Sequence, residues 1–277
     1  MITICLVAYS KKITETVAFQ SLLSLKKEVL QQLNLVVFDN GDVNYQLNSD
    51  KYHFNQFSYH FNEDQERGTR IAYQYCLDAT LDNWIMLLDD DTALTENYVV
   101  QVFNEIDDKD SKLVAYMPIM RSANHTQISP TQSYQIETLN YPIEPGIYSE
   151  NITGISSGLV LRTEFVRDIG GFNPMFPLDY LDHWLFYEIV FRKKKVGVID
   201  SAITHQLSVM NLQTVNERRY KSIFNSEYQY YKYYNSRLLH ELRSIYIKRV
   251  IKGLIFRKKE FRWWIFLKIL LNDRGGK

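Results

Sequence analysis

Proline, glycine and cysteine are all scarce in this chain: 6, 11 and 2 of 277 residues. So little proline and glycine excludes long disordered or collagen-like tracts, and no internal repeat or low-complexity block interrupts the sequence. Cys5 and Cys76 show no Cys-x-x-Cys spacing and offer no disulfide framework, which fits a reducing compartment. No uncharged apolar run approaches the roughly 18 residues that span a bilayer; even the most apolar C-terminal segment carries Arg262 and Lys268. The opening MITICLVAYS lacks the basic region and cleavage site of a signal peptide, so a cytoplasmic protein is expected. Net charge is absent too, with 32 Lys and Arg against 32 Asp and Glu.

That balance hides an asymmetry. Residues 237–277 hold twelve Lys/Arg against three Asp/Glu, so a tail of about +9 follows a body of about −9. The tail SRLLHELRSIYIKRVIKGLIFRKKEFRWWIFLKILL interleaves Leu, Ile, Phe and Trp with Lys and Arg at helical spacing. It suits an anionic membrane surface, with Trp263 and Trp264 at the polar-apolar boundary. A helix pair packed on the body is the plainer alternative. No nucleic acid partner is expected, because the acidic body repels phosphate and no nucleic-acid module is visible. With 45% hydrophobic, 14% aromatic and 23% charged residues, the chain reads as globular with one principal domain.

The first third alternates between extended and helical patterns. Ile2 to Tyr9 and Leu33 to Phe38 read as apolar strands, and Ile13 to Lys27 as an amphipathic helix with Val17, Leu22 and Leu25 on one face. Such a β-α-β unit predicts a parallel sheet with ligands at the carboxyl ends of its strands. Ala8-Tyr9-Ser10 and Asp39-Asn40-Gly41-Asp42 stand at those ends. A helical pattern over Arg67 to Leu81 precedes the strand Trp84 to Leu88, which runs into Asp89-Asp90-Asp91. Thr95 to Ile106 reads as a capped helix, Leu113 to Met117 as a strand, and 121 to 153, with Pro130, Pro142 and Pro145, as an irregular excursion. Then follow Gly158-Leu-Val-Leu-Arg, a helix over Thr163 to Ile169, Gly170-Gly171-Phe172 and the acidic-aromatic run Phe176 to Trp184.

Three consecutive aspartates repel one another unless a cation or solvent neutralises them. Mg2+ or Mn2+ would do so, since these ions take carboxylate oxygens completed by substrate phosphates and water; Asp89 and Asp91 are the candidate pair. A solvated turn, with Asp91 or Thr92 capping the next helix, is the other reading. A second constellation joins Asp179, Asp182, His183 and Trp184, with His205 after a strand-like Gly197 to Ile203. A carboxylate beside an aromatic ring suits a sugar: one accepts a hydroxyl proton while the other packs on the apolar face. His205 offers a nitrogen to complete a metal site. A polar strand-end histidine and an Asp cap before a helix over Leu185 to Arg192 are the plainer readings of the same residues.

Taken in order, Ala8-Tyr9-Ser10, Val36-Val37-Phe38-Asp39-Asn40-Gly41, Gly68-Thr-Arg-Ile-Ala, Leu87-Leu88-Asp89-Asp90-Asp91, Ser157-Gly158, Gly170-Gly171-Phe172, Asp179-Tyr-Leu-Asp182 and Thr204-His205-Gln-Leu form one pattern. It resembles the inverting family-two glycosyltransferases of the GT-A fold over nearly the whole chain. Phe176-x-x-Asp179-x-x-Asp182, the later His-x-Leu, a Tyr-rich helix and basic C-terminal helices are most similar to the rhamnosyltransferase-like branch. Galactofuranosyltransferases share parts of this pattern. Asp90 stands where Gln is common in that branch, which bears on the donor sugar. Gln74 replaces a common Asn and Ser208 a common Gly, and neither is a proposed ligand or base.

The resemblance implies an α/β, Rossmann-like GT-A domain over 1–215, mainly parallel, with a donor half at 1–120 and an acceptor half at 121–215. A helical extension at 216–277 follows. It also implies a nucleoside diphosphate sugar donor, dTDP- or UDP-linked with rhamnose favoured. The acceptor would be a saccharide or lipid-linked one, used in cell-surface polysaccharide synthesis at the inner face of the membrane. Asp39 would contact the base or ribose, and Asp89 and Asp90 would line the ribose and sugar. Ala8, Tyr9, Ser10, Asn40, Arg67, Gly68, Ser157 and Gly158 would complete the donor site. Asp91 and His205 would hold Mn2+ or Mg2+, Asp182 would be the general base, and Asp179, His183 and Trp184 would face the acceptor. A nucleotidyltransferase would favour a Gly-rich basic N-terminal loop that is missing here. A non-catalytic nucleotide-sugar-binding scaffold would not need every proposed catalytic residue. A homodimer is compatible with the sequence.

Overall fold

The computed structural model describes residues 1–9, 11–45, 47, 51–64, 66–106, 109–122, 124–133, 136, 142–205, 215–256 and 262–274, with only the backbone of His205 and Arg274. The chain divides into two compact units, Met1–Gln132 with Asn140–Gln206, and Ser133–Leu139 with Leu207–Lys277.

In the first unit the strands are β1 (Ile2–Ala8), β2 (Leu33–Asp39), β3 (Gln56–Phe61), β4 (Trp84–Asp89), β5 (Thr92–Ala93), β6 (Leu113–Arg121), β7 (Gln127–Ser129), β8 (Gly146–Tyr148), β9 (Val160–Arg162) and β10 (Lys195–His205). They form one sheet in the order β3-β2-β1-β4-β9-β6-β10-β5, with β7 beside β6 and β8 beside β10. All seven residues of β1 are buried, which explains a continuous apolar run in place of alternation. β3, β2, β1 and β4 are parallel neighbours, as are β6 and β10. β9 runs antiparallel between β4 and β6, and the short strands β5, β7 and β8 are antiparallel to their neighbours, so the α/β class and a mainly parallel central sheet are as expected, with antiparallel additions.

The helices of this unit are α1 (Val17–Leu23), α2 (Lys27–Leu30), α3 (Thr69–Ala79), α4 (Glu96–Glu105), α5 (Thr163–Asp168) and α6 (Leu181–Phe191). The helix expected over Ile13 to Lys27 is broken into a 3-10 turn, α1 and α2. The Thr16 hydroxyl caps α1 by accepting the Phe19 N–H, and α1 ends at Ser24. This break rotates the apolar face: Leu22 and Leu25 are buried, whereas Val17 is 43% exposed. The excursion over 121 to 153 contains β7 and β8, held by β6 and β10.

The second unit contains α7 (Glu217–Tyr233), α8 (Leu239–Phe256) and α9 (Trp263–Arg274), the expected helical extension. An aromatic cluster fills it: Phe266 lies 4.8 Å from both Phe224 and Tyr246, ring to ring. Asp273 of α9 accepts from Lys232 of α7 at 2.9 Å and from Arg243 of α8, tying the three helices together. A Cβ on Gly253 would lie 2.4 Å from the Trp263 Cβ, so glycine permits α8 and α9 to approach. Trp264 Nε1 donates to Glu217 Oε1 at 3.2 Å. Both tryptophans are half-buried in the helical packing. Among the described residues, no helix is long and apolar enough to cross a membrane.

Candidate functional site

Strand register assembles the site. Ala8 of β1 stands opposite Asp39 of β2, and Val7 stands opposite Asp89 of β4, so three parallel strands end together. Past Asp89 the chain turns through Asp90 and Asp91 into β5, where Thr92 pairs with His205 at the end of β10. The backbone of His205 is therefore next to the aspartate turn. The cap of α4 is Thr95, which accepts from the Tyr98 N–H at 3.2 Å, so neither Asp91 nor Thr92 serves that helix. Thr92 is fully buried, and its hydroxyl meets that of Ser157 at 2.7 Å.

The aspartates are held from below. Ser157 Oγ accepts the Asp89 N–H at 2.9 Å, the Tyr73 hydroxyl donates to Asp89 Oδ1 at 3.1 Å, and the Tyr9 N–H donates to Asp90 Oδ2 at 3.1 Å. Burial, and then the charge of Asp91, push the Asp89 carboxyl up to about 7; Asp90 and Asp182 add to the rise and the Tyr73 bond opposes it. Burial and Asp91 also raise Asp90. Asp182, distant in sequence, is thus near enough for its charge to act on Asp89.

A stability consequence follows for cation-free protein. Folded Asp89 holds its proton more tightly than the unfolded carboxyl, so this contribution is complete below the unfolded value of 3.8 and lost as pH rises through about 7. Asp89→Asn keeps an acceptor for Tyr73 and should raise Tm at about pH 8 but hardly at about pH 4. Equal Tm shifts at both pH values would contradict the assignment.

On the β2 side, Asp39 is fully buried and accepts from the Gly41 N–H at 2.8 Å and the Tyr59 hydroxyl at 2.6 Å. Burial and this bond to Asp39 push the Tyr59 phenol up. Asn40 braces the loops: Nδ2 donates to Gly68 O at 3.1 Å, and Oδ1 accepts from Asn62 Nδ2 at 2.8 Å. Arg67 is exposed and donates to the carbonyls of Asn62 and Asp64. Gly68 has no room for a side chain, because a Cβ would lie 2.3 Å from Pro177 O. A cavity of about 410 Å3 opens beside Tyr59 and is lined by Asn44, His60, Phe61, Glu63 and Asp64.

The glycines of two motifs each meet a structural demand. Gly158 has φ +79, and its carbonyl accepts the Tyr98 hydroxyl at 2.6 Å. Gly171 has φ +82, and a Cβ there would lie 2.4 Å from Gln74 Oε1, which accepts the Phe172 N–H at 2.9 Å. The Asn-to-Gln departure at position 74 thus has a defined structural role.

Asp182 lies within the first turn of α6, not at a cap before a later helix. The positive end of the helix dipole favours a carboxylate there. Asp182 Oδ1 accepts the His183 N–H at 2.8 Å and lies 2.9 Å from His183 Nδ1. Tyr180 precedes the helix at φ 66 and places its ring 4.6 Å from that of His183. The side chains of Asp182 and His183 are 24% and 39% exposed, and Asp179 is half-buried. Trp184 is only 3% exposed, so its ring is not the open sugar platform expected from the sequence; helical rotation turns it inward next to two outward neighbours.

Sequence reasoning missed Tyr73, Tyr59 and Asn62. Tyr73 had a signal, since Thr69, Ala72, Tyr73, Cys76 and Leu77 form one buried face of α3, where a phenol needs a partner. Among the described residues, no group of three or more His, Cys, Asp or Glu is arranged to hold a metal; the His205 side chain and Ser10 lie outside that set. Crowded carboxylate oxygens nevertheless fit a hard divalent cation in donor chemistry.

The glycosyl transferase family 2 model matches residues 3–170. The crystal structure of S. aureus TarS 1-349 covers 100% of this chain and 92% of its own length, at 11% identity and TM-score 0.56. The same fragment in complex with UDP-GlcNAc gives 12% identity and TM-score 0.52, with the same coverage. GalNAc-T7 with UDP, GalNAc and Mn2+ gives 13% identity and TM-score 0.59, covering 84% of this chain but 48% of that one. At such identities these likenesses speak to the fold. A comparison with curated protein sequences yields no match. With more than half of its length matched and a mixed sheet like that of these transferases, the chain belongs to glycosyl transferase family 2 and has the GT-A fold.

Proposed function

We propose that the chain transfers a sugar from a nucleoside diphosphate sugar, UDP- or dTDP-linked with rhamnose first, to a hydroxyl of a saccharide or lipid-linked acceptor, with inversion. The meeting of Asp89, at the end of β4 beside Asp90 and Asp91 of the following turn, with the charge of Asp182 from α6 carries this reading. Carboxylates gathered at the ends of parallel strands suit a cation-bridged diphosphate and a positively charged transition state. The nucleotides bound in the structural neighbours, UDP-GlcNAc with TarS and UDP with GalNAc-T7, support the same class of ligand.

Asp39 would orient the base or ribose, its carboxylate fixed by Tyr59 and Gly41. Tyr9, Arg67 and Ser157 would border the donor, and Asp89 and Asp90 its ribose and sugar. Asp91 and His205 would hold Mn2+ or Mg2+; the bound ion supplies charge neutralisation for the departing diphosphate. Asp182 would take the acceptor proton on Oδ2, since Oδ1 is engaged by His183. The acceptor oxygen forms its bond to the anomeric carbon as the bond to the diphosphate breaks, and attack from the opposite face inverts the centre. Residues 1–215 would carry this chemistry, 216–277 being an extension.

The test is a double-mutant cycle. Asp91→Ala and His205→Ala should each weaken Mn2+-dependent donor binding by about tenfold or more, with the fold intact. Their effects should be non-additive, because both act through one cation. Additive losses would give His205 a separate, structural role.

A further inference from the structure

The C-terminal helical unit leaves one apolar face uncovered. In α8, Leu242, Tyr246, Val250 and Gly253 are buried, and they meet α7 and α9. On another face, Ile247, Ile251, Leu254 and Ile255 are 47, 50, 52 and 69% exposed. Their spacing of i, i+4, i+7 and i+8 confines them to a stripe about 100° wide. Lys248 and Lys252, both exposed, border that stripe along one side. Among the described residues of this unit, Asp273 is paired with Lys232 and Arg243, and Glu241 lies more than two turns along α8 from the stripe's centre.

We propose that this face of α8 docks in the plane of an anionic lipid surface. The four aliphatic side chains reach the headgroup-acyl boundary, and Lys248 and Lys252 extend to the phosphates. The chemistry of the border selects this occupant. In an antiparallel two-fold contact of α8 with a second copy, the stripe would bring Lys248 and Lys252 close to their own counterparts, within a segment holding twelve Lys/Arg against three Asp/Glu. A phosphate-rich surface attracts the same exposed charges. With Trp263 and Trp264 engaged in helical packing, the stripe and not the tryptophan pair is the docking element. The inference is independent of donor, metal and general base.

The experiment uses the full chain and vesicles of phosphatidylcholine, with or without roughly one-third phosphatidylglycerol, at low and high salt. Co-sedimentation should require phosphatidylglycerol and weaken with salt. Ile251→Glu with Leu254→Glu should lower vesicle affinity at least about tenfold with Tm and helix content unchanged, because both side chains are exposed. Lys248→Glu with Lys252→Glu, the second variant, should weaken binding most at low salt. The proposal is overturned if the wild-type chain ignores anionic vesicles, or if both variants bind as it does. It is equally overturned if sedimentation velocity shows a dimer that Ile251→Glu disperses, since a second copy would then cover the stripe.

Discussion

Asp182→Asn should lower kcat by about 10²–10⁴ while leaving donor affinity and Tm essentially unchanged. The amide keeps an oxygen to accept the His183 N–H, so the first turn of α6 retains its local bond. It loses the basicity needed to take a proton from the acceptor. One negative charge is also removed from the field that raises Asp89, so a fall in stability is not expected. Steady-state kinetics with parallel donor binding and thermal unfolding separate the possibilities. Full activity would remove Asp182 as the base; a large fall in Tm would make its role structural.

Trp184→Ala should instead destabilise the fold by about 3–5 kcal/mol, the usual loss for truncating a buried aromatic. The side chain is 3% exposed and follows two partly exposed residues in α6, so its main contribution is packing. Urea unfolding of wild type and variant measures the difference. If stability is unchanged but acceptor KM rises, the ring faces the sugar after all and the packing assignment fails.

The contrast between these neighbours shows where the sequence is legible. Continuous apolar runs at β1, β2 and β4 read as buried parallel strands, and the carboxylates at their ends read as a site, because strand direction alone delivers them to one edge. Thr95 reads as a helix cap because capping is local. Tertiary contacts decided the rest. β9 is only three residues, Val160–Arg162, and its reversal between β4 and β6 has no local signature. Trp184 in an acidic-aromatic run looks like a sugar platform until the start of α6 fixes its rotation, and that start depends on Tyr180 at φ 66. The Asp39-Tyr59 and Asp89-Tyr73 bonds join different elements, and pattern within either element alone could not reveal them. In the tail, Trp263 and Trp264 stand out by residue type, but their contacts with Gly253 and Glu217 join different helices and leave no local signature.

The central claim is that the gathered carboxylates serve sugar transfer. Its most direct measurement is the time course of nucleoside diphosphate release from a panel of UDP- and dTDP-linked sugars, with Mn2+ or Mg2+, by wild type and Asp182→Asn. At least one donor should be turned over in proportion to enzyme, with release accelerated by a suitable acceptor and depressed in the variant. If every donor is returned intact, or wild type and Asp182→Asn release diphosphate at the same rate, the carboxylates do not perform this chemistry.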